Sequence, residues 1–323
     1  MNLKKTPLVF ITRQIPEAAV DLLKKKKFKV KVYEEDHPIP EKELVQNIIN
    51  ADAVISLLTD KFDSAVIDKM KNCKIIANYA VGFNNIDVKY AEKKKIFVSN
   101  TPDVLTDSTA DLTMTLVLAC ARRIIEGEKF LMMKKYKGWK PKLLLGVELK
   151  GKTFGILGAG RIGTAVALRA KSFGTNIVYF SDLKNEFLEQ KVDAERLSLD
   201  TLLKKSDFIS IHLPLTEKTY HLLNKKKLSL IKKDAILVNT ARGEIIEEKE
   251  LIRILKQKKI RCAGLDVFEN EPYINSEFYR LKNVVLLPHI GSATEEARTN
   301  MALLAAKNVI SVLSGKKPVT PVL

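Results

Sequence analysis

Thr153-Phe154-Gly155-Ile156-Leu157-Gly158-Ala159-Gly160-Arg161-Ile162-Gly163 is the stretch whose reading decides the fold. Its first five residues form a short apolar run of the kind that makes a buried strand, and the segment from Arg161 to Ser172 has helical spacing. Glycines stand at 158, 160 and 163, between strand and helix. In that setting each glycine meets a separate physical demand. The first makes the tight turn, the second lets a pyrophosphate approach the backbone, and the third lets helix and strand pack closely. The amide groups that open the helix, those of Arg161 and Ile162 among them, then face the anion. The stretch predicts a dinucleotide-binding βαβ unit rather than a plain glycine-rich turn. The next strand, Asn176–Phe180, runs into Ser181-Asp182. Asp182 lies about 20 residues beyond the glycines, where a carboxylate can accept both ribose hydroxyls.

Outward from this stretch, short apolar runs alternate with amphipathic segments. Towards the amino terminus the strands are Leu8–Thr12, Lys29–Tyr33, Ala53–Leu57, Ile75–Asn78 and Ile96–Ser99, with helices at Pro16–Lys26, Glu41–Ile49 and Ser64–Met70. Towards the carboxyl terminus strands fall at Phe208–Leu213, Ala235–Asn239, Cys262–Val267 and Val284–Leu287, with helices at Leu199–Lys205 and Lys249–Lys258. This rhythm predicts parallel sheets covered by helices. Thr101-Pro102 interrupts it, and a long helix follows from about Val104 to Arg123. Apolar residues cover more than one of its faces, so both sides should be buried, between domains or at a subunit interface. A last helix runs from about Thr294 to Leu313.

A chain of 323 residues suggests two domains, and 46% apolar residues suffice for sizeable cores. No apolar run approaches the roughly 20 residues of a membrane span. Residues 1–7 carry two lysines, but the apolar run that follows is too short for a signal-peptide core, so a cytoplasmic protein is expected. The three cysteines, Cys73, Cys120 and Cys262, have neither disulfide-framework nor metal-ligand spacing and read as buried thiols. The net charge of +17 is spread in short runs such as Lys24–Lys27, Lys93–Lys95 and Lys225–Lys227. No aromatic residues interleave with them as a stacking platform requires, so no nucleic-acid partner is expected. The charge reads as solvated helix faces, with a field able to steer anionic substrates.

Three more segments carry chemistry: Asn239-Thr240-Ala241-Arg242-Gly243 at the end of a buried strand, Gly264-Leu265-Asp266-Val267-Phe268 running on to Glu271-Pro272, and Pro288-His289-Ile290-Gly291-Ser292-Ala293-Thr294. A histidine beyond a strand's carboxyl end lies where open α/β sheets bind ligands, and an imidazole with an ordinary pKa of about 6.5 suits proton transfer. An arginine supplies a planar fork that matches a carboxylate.

With the glycine loop, these segments closely resemble the D-isomer-specific 2-hydroxyacid dehydrogenase family over essentially the whole chain. The glyoxylate/hydroxypyruvate reductase branch is the nearest, on Asn100-Thr101-Pro102-Asp103-Val104-Leu105-Thr106-Asp107, on Ala121-Arg122-Arg123-Ile124 and on the Trp139 segment. The resemblance implies hydride transfer between NAD(P)H and a small 2-keto acid. It implies a catalytic set of His289 as proton donor, Glu271 as its partner and Arg242 as carboxylate anchor, without a metal. Thr240 falls in a cofactor-facing motif, Asp266 matches the partner of the nicotinamide carboxamide, and Thr106 matches a position near the pyrophosphate. Tyr79-Ala80-Val81-Gly82-Phe83-Asn84-Asn85-Ile86-Asp87 resembles the family's carboxylate-binding loop, with Val81 and Gly82 as amide donors, and Leu58 fits a position near the substrate. Trp139 resembles a residue that some members project into a neighbouring subunit's site, which implies a homodimer. The fold implied is α/β, with two doubly wound parallel-sheet domains, Rossmann- and flavodoxin-like, and a cleft between them. A substrate domain would span 1–101 plus 292–323, and an NAD(P)-binding domain 102–291.

Two rivals share these motifs. One is a D-3-phosphoglycerate dehydrogenase of the short type, since a chain ending at Leu323 leaves no room for a regulatory extension. The other is a dinucleotide-sensing, corepressor-like interaction protein, against which the lack of added tails argues. Cofactor choice departs from both family patterns. Members that prefer NAD usually place aspartate where Ser181 stands, and members that prefer NADP often carry arginine where Asp182 stands. Ser181 and Lys184 can reach a 2′-phosphate, but Asp182 should repel it with no compensating fork nearby. NAD(H) is expected, with NADP(H) as the alternative.

Overall fold

The computed structural model describes residues 6–322; residues 1–5, with the amino-terminal lysines, and residue 323 lie outside the described residues. The chain runs through β1 (Leu8–Ile11), α1 (Glu17–Lys25), β2 (Lys29–Val32), α2 (Glu41–Ile48), β3 (Ala53–Ser56), α3 (Ser64–Ile67), β4 (Ile75–Asn78), α4 (Val88–Lys93) and β5 (Phe97–Ser99). It continues with α5 (Thr106–Arg122), α6 (Ile124–Met132), β6 (Thr153–Leu157), α7 (Arg161–Ser172), β7 (Asn176–Phe180), α8 (Glu186–Val192), β8 (Glu195–Arg196), α9 (Leu199–Lys205) and β9 (Phe208–Ile211). The remainder is α10 (Lys225–Leu228), β10 (Ile236–Asn239), α11 (Glu248–Lys256), β11 (Cys262–Leu265), β12 (Val284–Leu286) and α12 (Glu295–Leu313), with short 3₁₀ turns at Gly243–Ile245 and Phe278–Arg280. Two compact units result. One takes the described residues up to Leu105 and those from Ser292 onward, the other Thr106–Gly291.

The first unit holds a five-stranded sheet of order β2-β1-β3-β4-β5, all parallel. Its inner strands read LVFI, AVIS and IIAN and are buried almost throughout, as a parallel sheet covered on both faces requires. Helix α12 returns to this unit. Thr294 caps it by accepting from the Ala297 N–H at 3.1 Å, and Ala297, Met301, Ala302, Ala305, Ala306 and Val309 are buried where it packs on α1, β3 and β4.

The second unit holds a seven-stranded parallel sheet of order β12-β11-β10-β9-β6-β7-β8. The chain moves outward from β6 to β8 and then returns across β6 to β9. Strand order therefore reverses at β6/β9, and the carboxyl ends of these two strands border a crevice of the kind in which doubly wound sheets bind ligands.

Strand positions match the sequence expectation to within a residue or two at their ends. The sequence expectation lacks α4, α8, β8 and α10, and three further points differ. The helix expected over Ser64–Met70 closes after one turn at Ile67, because Lys69 and Met70 donate to Val66 and Ile67, three residues back. The sequence pattern predicts no element over 124–132, yet the segment forms α6. None of its residues is buried, so it has no core face to betray its period. The long helix α5 needs no second domain or subunit to be covered. It lies on β10, β11 and β12 with α7 beside it, and Met114, Leu116, Val117, Cys120 and Ala121 are buried there. The apolar surface that stays open follows α5 instead: Ile124, Leu131, Met132, Tyr136, Leu145 and Trp139, the last 81% exposed.

Candidate active site

The glycine loop after β6 has the geometry its spacing predicted. Gly158 adopts φ +97°, and a Cβ there would lie 2.8 Å from the His212 carbonyl carbon. A Cβ on Gly163 would lie 2.0 Å from the Gly158 carbonyl oxygen, so α7 approaches β6 as closely as only glycine permits. A Cβ on Gly160 would meet nothing within 4 Å. The cradle is thus closed at two glycines and open at the one that a pyrophosphate needs. The Ile162 and Gly163 N–H groups have no acceptor among the described residues, as expected at a helix start awaiting an anion. Arg161 opens the same turn. The residues present fit a dinucleotide.

At the end of β7, Asp182 is exposed and its side chain has no partner among the described residues. Lys184 does not reach outward freely, because its ammonium pairs with Glu189 at 3.1 Å. The expectation that no guanidinium fork stands nearby is corrected. Arg196, in β8 beside β7, donates to the Ser181 carbonyl at 2.8 Å and to the Asp182 carbonyl at 2.7 Å. Sequence reading misses it because β8 is two residues long and carries no apolar pattern.

The catalytic candidates come together at the carboxyl ends of β10, β11 and β12. Beyond β12, His289 Nδ1 meets Glu271 Oε2 at 2.7 Å, with the two side chains 26% and 29% exposed. With Nδ1–H donating to the carboxylate, the imidazole's Nε2 is left for a reacting group. Burial pushes the Glu271 carboxyl up, but the His289 hydrogen bond and charge, the Phe268 N–H and the Arg242 charge outweigh it and hold it below the ordinary carboxylate range. His289 sits in left-handed backbone at φ +54°, a conformation that persists only when its surroundings over-determine it. Asp266 does so. Its carbonyl accepts the His289 N–H at 2.9 Å, and its carboxylate accepts the Ile290 and Gly291 N–H groups at 2.7 and 2.8 Å. Asp266 is thus first a clamp on the histidine loop; burial raises its pKa, against those N–H groups and the His289 charge.

Arg242 follows β10 in extended backbone. Asn239 shapes its turn, donating to the Arg242 carbonyl at 2.8 Å and accepting from Ala241 N–H at 3.0 Å, a role the sequence did not reveal. Burial lowers the Arg242 pKa, and the charges of Glu271 and Glu244 oppose this. Thr240 is buried with its hydroxyl 2.8 Å from that of Thr113, and Thr109 donates to the Gly291 carbonyl at 3.1 Å, so α5 ties these loop ends together. Thr106 opens that helix. His212 is no rival acid: burial pulls its imidazole down to about 3, and its ring bonds Ser210.

In the first unit, the loop after β4 is held by three asparagines. Asn100 and Asn78 each donate to the Val81 and Gly82 carbonyls at 2.8 Å, respectively, and Asn85 donates to the Leu57 and Asp60 carbonyls. With the carbonyls engaged, the Val81 and Gly82 N–H groups have no acceptor among the described residues. Leu58 stands on the half-buried turn that Asn85 secures. Among the described residues no group of three His, Cys, Asp or Glu side chains could hold a metal ion, and no helix is long and apolar enough to cross a membrane.

Comparison with known proteins gives a consistent picture. Residues 114–291 match the sequence model of the family described as D-isomer specific 2-hydroxyacid dehydrogenase, NAD binding domain. The chain is 49% identical over 316 residues to a glyoxylate reductase of Thermococcus litoralis, covering 97% of this chain and 95% of that one. The fold is similar to the crystal structure of a Thermus thermophilus protein, with TM-score 0.92, 40% identity and coverage of 98% and 100%. It is also similar to an NADPH-dependent glyoxylate/hydroxypyruvate reductase of Sinorhizobium meliloti, with TM-score 0.88, 29% identity and coverage of 98% and 97%.

The lowered Glu271 pKa has a consequence for stability. A carboxyl whose folded value lies below its unfolded value stabilises the fold above the ordinary carboxylate range, and that contribution disappears as pH falls through the folded value. Urea unfolding of the native chain and of Glu271→Gln should differ by a constant amount near neutral pH. The gap should narrow only below a pH of roughly 4. A gap that is already closing between pH 7 and 5 would contradict the assignment.

Proposed function

The chain belongs to the D-isomer-specific 2-hydroxyacid dehydrogenase family, and on that premise we propose that it reduces glyoxylate and hydroxypyruvate-like 2-keto acids through His289, Glu271 and Arg242. The general activity, hydride transfer to a small 2-keto acid by an oxidoreductase, follows from membership and from the glyoxylate reductase relatives; the phosphoglycerate dehydrogenase and corepressor readings are not favoured. The observation that carries the residue assignment is the His289–Glu271 contact of 2.7 Å, with the Arg242 charge felt by the same carboxylate.

Gly158, Gly160, Arg161, Ile162 and Gly163 would hold the pyrophosphate of NAD(H), which would supply the hydride. Thr106, Thr240 and Asp266 are proposed as further cofactor contacts. Arg242 forks onto the substrate carboxylate and draws charge from the keto oxygen. The Val81 and Gly82 amides and Leu58 are proposed as further substrate contacts. As negative charge develops on the oxygen, His289 delivers a proton from Nε2, while Glu271 holds the ring.

For cofactor choice we propose NAD(H) over NADP(H), although the Sinorhizobium meliloti neighbour is described as NADPH-dependent. The exposed Asp182 carboxylate supports this, as does the engagement of Lys184 by Glu189. Arg196 works the other way, but its donors are shared with two carbonyls. The exposed apolar surface around α6 and Trp139 supports a homodimer. The three buried, unbridged cysteines support a cytoplasmic location.

His289→Ala should lower kcat with glyoxylate by about 10²–10⁴-fold while NADH binding is kept, and Arg242→Lys should lower kcat/KM for every 2-keto acid by about a hundredfold. Near-native turnover in either folded variant defeats the corresponding assignment. Steady-state kcat/KM should favour NADH over NADPH by about tenfold or more, equivalent to ~1.4 kcal/mol, and Asp182→Ser should shrink that ratio. Sedimentation at micromolar concentration should give the mass of two chains; a stable single-chain species contradicts the dimer.

A further inference from the structure

A second histidine–carboxylate pair stands close to the first, its carboxylate only two residues along the same loop. His221 Nε2 meets Glu269 Oε1 at 2.8 Å, just as His289 Nδ1 meets Glu271 Oε2 at 2.7 Å. Both histidines occupy left-handed backbone, His221 at φ +47°. For a residue with a bulky ring this conformation is unfavourable and persists only where the surroundings impose it. At His221 the surroundings are two bonds that point in different directions. Its N–H donates to the Glu244 carbonyl at 2.8 Å, in the 3₁₀ turn that follows Arg242. Its ring reaches Glu269, in the loop that carries Glu271. The neighbouring Leu223 continues the first link, donating to the Ile245 carbonyl at 3.0 Å.

These two elements press directly on one another. A Cβ on Gly243 would lie 1.9 Å from the Phe268 carbonyl carbon and 2.3 Å from the Glu269 nitrogen. The turn after Arg242 therefore rests on the 268–269 peptide with no space between them. The loop itself has no regular structure, and its freedom is removed by side chains. Glu269 and Glu248 exchange bonds at the start of α11: Glu248 N–H to Glu269 Oε2 at 3.3 Å and Glu269 N–H to Glu248 Oε2 at 3.1 Å. This contact sets two carboxylates together, and burial raises the Glu248 pKa further, with the Glu269 charge adding to it. Glu244 is likewise raised by burial and by the charges of Glu271 and Glu269. Among the described residues the His221 ring is the side-chain N–H donor on Glu269, and Tyr220 stacks on it with ring centroids 4.1 Å apart.

We propose that His221 is a positioning residue for the reduction described above: by bonding Glu269 through its ring and Glu244 through its main chain, it fixes the Glu271 loop against the Arg242 turn. The separation between the group that binds the carboxylate and the group that orients the acid is then set from outside the reacting set. Because the proposal rests on the assignment of Arg242, Glu271 and His289, its test needs a readout that does not depend on turnover.

The variants are His221→Phe, which keeps a ring and removes the donor, and His221→Gln, whose amide nitrogen can take the place of Nε2. In His221→Phe, kcat with glyoxylate should fall about ten- to hundredfold, the cost of a small misplacement, while the KM for NADH is held. The deuterium isotope effect with NADH labelled at the transferred position should rise. The ring ¹⁵N signals of His289, identified by their absence in His289→Ala, should move. His221→Gln should restore most of each quantity. Glu269→Ala, which removes the acceptor of the His221 ring, is the second variant should His221→Phe fail to fold; it should lower kcat, raise the isotope effect and move the His289 signals in the same directions, and a folded Glu269→Ala with native values overturns the proposal. A folded His221→Phe with native kcat, isotope effect and His289 signals overturns the proposal, as does a Gln variant no better than Phe. If the native chain reduces no 2-keto acid, the assignment of function fails, and the His289 signals alone then decide whether His221 holds the loop.

Discussion

The pairing of β6 with β7 on one side and β9 on the other is the constraint from which the second unit's chemistry descends. A chain that lays down β6, β7 and β8 outward must come back across β6 to continue the sheet, and no connection then covers the carboxyl ends of β6 and β9. Every group of chemical interest in this unit hangs on that edge: the glycine turn after β6, Asp182 after β7, Arg242 after β10, Asp266 and Glu271 after β11, His289 after β12. The close packing of Gly158 against the His212 main chain is part of the same geometry, because two strands that border the opening also bring their following turns together.

A positive group and several carboxylates share this edge in partial burial. Arg242 is half-buried, its partial burial lowers its pKa, and the charges of Glu271 and Glu244 oppose this. Conversely, Glu271 stays ionised because a histidine, an N–H and an arginine surround it. Neither group is comfortable alone. A carboxylate-bearing substrate would offset the partial burial of Arg242 further.

The two parallel sheets are legible in the sequence because their strands are continuous apolar runs punctuated by turns, and because glycines that must be glycines stand at 158 and 163. His289, Arg242 and Asp182 are legible as residue types at strand ends. What stays hidden depends on contacts between distant segments. Nothing local says that Asn239 folds back on the Arg242 carbonyl, that Asp266 spends both carboxylate oxygens on the histidine loop, or that Arg196 in a two-residue strand reaches the carbonyls beside Asp182. Glu271 carries no local signal and comes only from family resemblance. The burial of α5 is legible but its neighbour is not, since an apolar helix shows that it will be covered and not by what.

Helix α12 carries one more consequence, which concerns the order of events on the ribosome. The strands of the first unit are made early, but the helix that covers β3 and β4 beside α1 is made only after all of the second unit. A growing chain therefore holds a finished seven-stranded domain while the earlier sheet still has one bare apolar face. Domains generally fold as units in the order they emerge; here the first to emerge is the last to be completed. The amino-terminal sheet can be completed only after the whole of the second unit has been made.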